Sequence, residues 1–389
     1  MRDVTLEHAQ ELARAAAIRT EPEDVPVAAA AGRRLAADVR ALADLPSQDV
    51  SAMDGYAVRA ADAPGSPLLV GESAAGEPFE GAIGPGEAVR ISTGAALPPG
   101  ADAVARREDA SEEGGRVHLP AVAAGDHVRR RGEVIGAGAV LLGAGAWVGP
   151  HEVVALGSAG HLSVRCLRRP RVALLATGAE LIPLGAAPRP GAVWDSSRVG
   201  LAAQAAAAGG RPVAALTVGD DADETLVALE ALLDEGDERP ELVVTAGGVG
   251  GGRHDHVRQA LAAIGVEEVV RGVLADPCRP VWLGRRGDQV VLGLPGNPVS
   301  AAVGFHLLGR ELLGHREDWR RRAPLAREVP THPGRADLPR CRLTPAGLEP
   351  MPMQGSHAIT SLCGADAIAR VPARDGGLRA SEIVAYSPL

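Results

Sequence analysis

Hydrophobic and polar positions follow two different rhythms along this chain. Between residues 168 and 314, strand-length apolar runs (RVALLATG, PVAALTVG, ELVVTAGG and QVVLGLPG) each end in glycine or a turn residue. Behind each stands a stretch with helical spacing. These are 196–208 closed by Gly209, 222–235 closed by Gly236, 256–264 closed by Gly265, and a run from Pro298 through Ala302, Phe305, Leu308 and Leu312 to Gly314. Strands apolar on both sides, alternating with helices of this length, predict βαβ units and a doubly wound, parallel-type sheet. PVWLGRRGDQVVLGL adds a hairpin through Arg286 and Gly287.

Outside that region the rhythm shortens. Residues 5–17 read as an amphipathic helix with Leu6, Ala9, Leu12 and Ala13 on one face, followed by an extended arm through Val25 and Val27. Residues 63–145 are rich in glycine and proline and carry brief alternating runs (Ala88, Val89, Ile91; Val117, Leu119, Val122, Val128), which predict a β-rich domain. A helix and a short strand over 147–167 lead back out, so the arm is discontinuous and the β-rich domain is inserted into it. Short strands over 325–389 predict a small C-terminal β-barrel. The expected fold is multidomain α/β plus β: an arm at 1–45 and 146–168, an inserted domain at 46–145, an α/β domain at 169–318 and a barrel at 322–389.

At 389 residues the chain is too long for a single core. Its 49 glycines and 30 prolines are spread through apolar segments, which argues against disorder. A net charge of −9 without a basic run, and only 2% aromatics, argue against nucleic acid as a partner. Cys166, Cys278, Cys341 and Cys363 are scattered without metal-ligand spacing, as expected of free thiols in a reducing compartment. Asp3 and Glu7 break the N-terminus, so no signal peptide is expected, and runs such as 137–148 are too short to span a bilayer. A cytoplasmic protein without a membrane partner is expected.

The candidate chemistry lies beyond the carboxyl ends of the strands, where open parallel sheets bind ligands. VVLGLPGNPVS, residues 290–300, is a strand, a glycine loop and a helix start, with Asn297 as N-cap and Pro298 at the first helical position. The chain contains no lysine, and Asn297 is its only asparagine. A glycine loop entering a helix is a natural seat for an anion. Thr177 to Glu180, Asp220 and the run Gly247, Gly248, Val249, Gly250, Gly251, Gly252 with Asp255 reach the same edge. Singly, Asp220 and Asp255 read as helix caps. Together, carboxylates beside phosphate-binding glycine loops point to a bridging divalent cation such as Mg²⁺, held by Glu180, Asp220 and Asp255. His254 and His256 flank Asp255 but diverge at a helix start, which argues against a histidine metal site.

At these residues the sequence resembles the MoeA family, the bacterial molybdopterin molybdenumtransferases, whose eukaryotic counterpart is the E domain of gephyrin. VSAMDGYAV at 50–58, AVRISTGAALPPGADAV at 88–104, RPRVALLATGAEL at 169–181, VVTAGGV at 243–249, GLPGNPVSA at 293–301 and QGSH at 354–357 follow one another as that family's signatures do. The resemblance implies an elongated four-domain homodimer with a MoaB/MogA-like α/β domain. Its site would lie between that domain of one subunit and the inserted domain of the other. The implied reaction is Mg²⁺-dependent insertion of molybdate into adenylylated molybdopterin, with release of molybdenum cofactor and AMP. The molybdopterin adenylyltransferase is a further candidate partner. Carried over by motif, the catalytic positions are Asp54, Thr93, Glu180 and Asp255. The positions holding the substrate are Gly247, Gly248, Gly252, Pro295, Gly296, Asn297, Pro298, Arg279, Arg340 and Ser356. For Asp54 and Thr93, each before a glycine, plain turn chemistry is the alternative.

The chain departs from the family pattern in places. Ala179 replaces the Asp of TGDEL, and Ala246, Gly250 and Gly251 leave a plainer glycine run. The lysine-rich KPGKP becomes Asp276, Pro277, Cys278, Arg279, Pro280, and Gly272 stands where a further lysine is usual, next to Arg271. Arg279 can replace a lysine as a phosphate clamp. Asp276 reverses a charge, and is expected to turn away and pair with Arg271, Arg279 or Arg285. Two other functions stay open: a divergent molybdopterin-binding or scaffold protein with little turnover, and a generic nucleotide hydrolase or adenylyltransferase.

Overall fold

The computed structural model describes residues 2–389 except Glu235, Asp237, Gly251, Arg253, His254, Glu317 and Asp318. Two of the residues discussed above, Gly251 and His254, therefore lie outside the described residues. The chain forms two compact units, one of residues 22–167 and one of the flanking segments up to 21 and from 168 onward.

In the larger unit the four apolar runs become the strands Arg171–Thr177, Arg211–Val218, Leu242–Ala246 and Gln289–Leu294. They belong to a seven-stranded sheet completed by Arg2–Val4, Glu267–Val273 and Trp282–Arg286. Only Trp282–Arg286 runs antiparallel to its neighbours, and it forms the expected hairpin with Gln289–Leu294. The continuous apolarity has a direct cause: alternate residues serve opposite cores. Leu174, Val244 and Leu292 pack under the helices Leu6–Ala15 and Ser196–Ala207 and the helical run from Pro298. Leu175, Val243 and Val291 pack under the helices Ala222–Asp234 and Val257–Ala263.

The N-terminal segment corrects one expectation. Placed in the arm by its position, it instead completes the α/β unit. Arg2 and Val4 pair in parallel with Arg271 and Val273 at the sheet edge. Thr5 caps the Leu6–Ala15 helix, accepting from the His8 N–H. That helix is pinned by Arg14, which forks onto Glu311 at 2.9 and 3.1 Å, and by Gln10, which donates to Leu307 O and accepts from Trp319 Nε1. Its apolar face, Leu6, Ala9 and Ala13, joins the core, and Arg2–Val4 becomes the outermost strand of the sheet.

The helical run Pro298–Gly304 continues through a π-turn, Phe305–Gly309, to Arg310–Leu312. His306 lies in that turn, 6% exposed, with Nε2 2.7 Å from Ser387 Oγ of the last strand. Burial, with Arg310 and His315 nearby, pushes its pKa down to about 3. The unfolded chain takes up that proton near pH 6.5 and the folded chain does not. Stability is therefore expected to fall as pH drops from about 6.5 to about 3, by up to about 1.4 kcal/mol per pH unit. Denaturant titrations of wild type and His306→Gln at pH 7 and pH 5 check this: the variant should lose one proton's share of the slope, and parallel slopes would disprove it.

The C-terminal region forms a five-stranded sheet from Arg321–Pro324 to Ile383–Pro388, and a bridge between Leu325 and Leu348 joins its two edges. In the smaller unit, six strands from Gly55–Val58 to Arg116–His118 make one sheet. Four two-stranded ribbons and the helix Pro150–Ser158 accompany it there. No helix among the described residues is long and apolar enough to cross a membrane.

Candidate functional site

Four adjacent strands of the large sheet deliver their loops to one edge, in the order Arg211–Val218, Arg171–Thr177, Leu242–Ala246, Gln289–Leu294. The loops are stitched together where they leave the sheet. Gly178 N–H donates to Val218 O at 3.1 Å, and Gly247 N–H donates to Leu294 O at 3.0 Å. Glycine is required at 247 for two reasons: φ is +97°, and a Cβ there would lie 2.6 Å from the Thr177 carbonyl oxygen. A Cβ on Gly296 would in turn lie 3.6 Å from Gly247 Cα, so the two glycine loops are neighbours. Pro295 is buried and locks the loop's base, while Gly296 and Asn297 are exposed.

Asn297 stands at the N-cap position, but its side chain makes no capping bond. Its amide donates instead to Ser356 Oγ at 3.0 Å, so the capping expectation is corrected. The sheet edge and the C-terminal region thereby share a contact built from two of the expected substrate residues. Ser197 also reaches this loop, at 3.5 Å from Gly296 O.

The carboxylates do not behave alike. Glu180 and Asp220 are exposed, and among the described residues neither side chain has a hydrogen-bond or ion-pair partner. Asp255 is occupied: it accepts from the Gly252 N–H and braces its own glycine loop. Among the described residues no three His, Cys, Asp or Glu side chains gather closely enough to hold a metal, so the expected three-carboxylate cluster is not found. Separate, hard, unpartnered oxygen donors still suit Mg²⁺, which takes one or two carboxylates and completes its shell with phosphate oxygens and water.

Arg279 is exposed on the loop that leaves Glu267–Val273 at this same edge. Asp276 pairs with Arg335 at 2.9 Å and not with Arg271, Arg279 or Arg285 as expected. Arg340 is the larger surprise. Expected to touch substrate, it is 1% exposed, and its guanidinium donates to Ser361 Oγ at 3.1 Å and to the Gln354 and Gly355 carbonyls. It holds the loop that carries Ser356.

In the smaller unit, Asp54 and Thr93 do come together. Thr93 donates to Asp54 Oδ1 from its N–H at 2.8 Å and from Oγ1 at 2.9 Å. These two bonds, the backbone one first, hold the Asp54 pKa below the ordinary value against a small opposing effect of desolvation, with Arg107 assisting. The result is an exposed carboxylate held ionised and in one orientation by Thr93.

Asp195 was missed by the sequence reading. It is buried, caps the Ser196–Ala207 helix, pairs with Arg198 and accepts from Thr217 Oγ1 at 2.6 Å. Its signal was an Asp directly before a helical pattern. Gln354 was overlooked although it opens QGSH. It accepts from the Arg340 N–H at 3.0 Å and donates to Arg340 O at 2.8 Å.

Sequence profiles described as "MoeA N-terminal region (domain I and II)", "Probable molybdopterin binding domain" and "MoeA C-terminal region (domain IV)" match residues 4–160, 173–315 and 322–389. A molybdopterin molybdenumtransferase of Haemophilus influenzae is 30% identical over 385 residues, covering 95% of this chain and 94% of that protein. One from a Nostoc species is 35% identical over 296 residues, covering 73% and 67%. Two solved structures of Pyrococcus horikoshii molybdopterin biosynthesis MoeA proteins align with TM-scores of 0.77 and 0.76, at 29% and 25% identity, over 99% and 100% of each chain.

Proposed function

Because the chain belongs to the MoeA family, the molybdopterin molybdenumtransferases of molybdenum cofactor biosynthesis, we propose that it inserts molybdate into adenylylated molybdopterin at this sheet edge and releases AMP. The observation that carries the reading is the convergence of both glycine loops, the Asn297–Ser356 contact and two unpartnered carboxylates beyond adjacent strand ends. Backbone N–H groups of the 247–252 and 295–298 loops would receive the phosphates and the pterin end, with Arg279 as the cationic clamp. Glu180 and Asp220 are the residues that would hold Mg²⁺, which when bound supplies charge neutralisation at the pyrophosphate. Asp255 keeps the glycine loop in shape. Asp54, oriented by Thr93, would act on the substrate held by a second copy of the chain, which makes the working form a homodimer.

Purified protein incubated with adenylylated molybdopterin, Mg²⁺ and molybdate should release AMP, and release should depend on molybdate. AMP formed equally fast without molybdate would favour the nucleotide-hydrolase alternative. Substrate bound but never turned over would favour the scaffold alternative. Sedimentation should give twice the 39.7 kDa chain mass.

A further inference from the structure

Beyond Glu267–Val273 the chain does not turn straight back into the sheet. Ala275–Asp276 first pairs in parallel with Ala336–Asp337. Ala336 N–H donates to Leu274 O at 2.9 Å, and Leu338 N–H donates to Asp276 O at 2.8 Å. The Asp276 carboxylate meets the Arg335 guanidinium at 2.9 Å. Arg335 also lies 3.5 Å from Asp337, whose other oxygen meets His332 Nδ1 at 2.8 Å. The same segment runs on into Arg340, which is locked to Gln354 through backbone and side chain. Two residues further, Ser356 accepts from Asn297.

We propose that Asp276 and Arg335 are positioning residues of the site: their ion pair fixes the 335–340 segment against the sheet edge, and Arg340 and Gln354 transmit that register to Ser356 and Asn297. This assignment rests on the Asn297–Ser356 contact being part of the substrate site. Asp276 is then no substrate-facing group. Its charge is taken up by Arg335, and it also compensates the buried Arg340 through space. Both partners remain partly exposed, Asp276 at 47% and Arg335 at 31% of the side chain, so the pair is a modest device. An effect of about two- to fivefold is in keeping with such pairs.

The test compares wild type, Asp276→Asn, Arg335→Gln, the double variant and Asp276→Lys by steady-state kinetics with adenylylated molybdopterin and by amide hydrogen exchange. Each single variant should raise KM about two- to fivefold while kcat stays within about twofold. Exchange should quicken at 336–338 and at 354–361 while Leu242–Ala246 stays protected. The double variant should be no worse than Arg335→Gln alone, because that change already removes the Asp276 ion pair together with the Asp337 contact. Asp276→Lys should be worse than Asp276→Asn, since it sets a third cation beside Arg335 and Arg340. A lower KM for Asp276→Lys, unchanged exchange at 354–361, or additive single effects would overturn the proposal. Wild type without AMP release would instead defeat the functional reading, and the exchange data would still decide the positioning role.

Discussion

Arg340→Ala is expected to lower stability by about 2–4 kcal/mol, the scale of a buried polar hub whose removal strands its partners. The side chain is 1% exposed and serves Ser361 Oγ and two carbonyls at once, while its backbone N–H and C=O engage Gln354. Alanine takes the donor from Ser361 Oγ and the Gln354 carbonyl, while Gly355 O keeps the Ala358 N–H, and it opens a cavity in a space water enters poorly. Arg340→Lys should recover little, because an ammonium cannot span a hydroxyl and two carbonyls with fixed fork geometry. Chemical denaturation monitors this directly. A variant with the wild-type midpoint would mean that the guanidinium is not structural and is free to meet substrate.

The other large effect concerns turnover. Glu180→Gln and Asp54→Asn should each reduce AMP release by about a hundredfold or more, the first by removing a charge that would hold the cation and the second by removing a carboxylate at the reacting groups. Folding should survive both changes. Glu180 is exposed with no side-chain partner among the described residues, and an asparagine at 54 can still accept from Thr93. Melting temperatures near wild type, together with lost turnover, would separate function from capping and turn chemistry. Retained turnover in either variant would return that residue to a local structural role.

Much of the α/β unit was legible in the sequence because its inner strands are covered on both faces, which writes long apolar runs bounded by glycine, although the edge strand Arg211–Val218 carries such a run while staying largely open. Gly209, Gly265, Gly287 and Gly314 fall at helix or hairpin ends, all with positive φ. The first strand was not legible. Arg2–Val4 is three residues long, and its place is set by pairing with Arg271 and Val273, far along the chain. The same limit applies at the site. Motif matching could name Asp54 and Thr93 and place Asn297 at the glycine loop, but that Asp54 meets Thr93 depends on the pairing of residues 55–57 with 89–91. It could not show that Arg340 points inward, because an arginine beside a strand looks alike whether it meets solvent or a ring of carbonyls. Nor could it find Arg335, which reaches Asp276 only because Ala336–Asp337 lies alongside Ala275–Asp276. Asn297 was misassigned for a related reason: its cap position is local, but its hydrogen bond is tertiary.

Mixing the two inactive variants tests the shared-site account most directly. If Asp54 of one copy serves the sheet edge of another, Glu180→Gln and Asp54→Asn chains pooled equally and allowed to exchange subunits will form mixed dimers, each with one intact site. About half the dimers are then mixed, so AMP release should recover to about a quarter of the wild-type rate. A pool as inactive as its two parents, with subunit exchange shown to be complete, would contradict a site shared between copies.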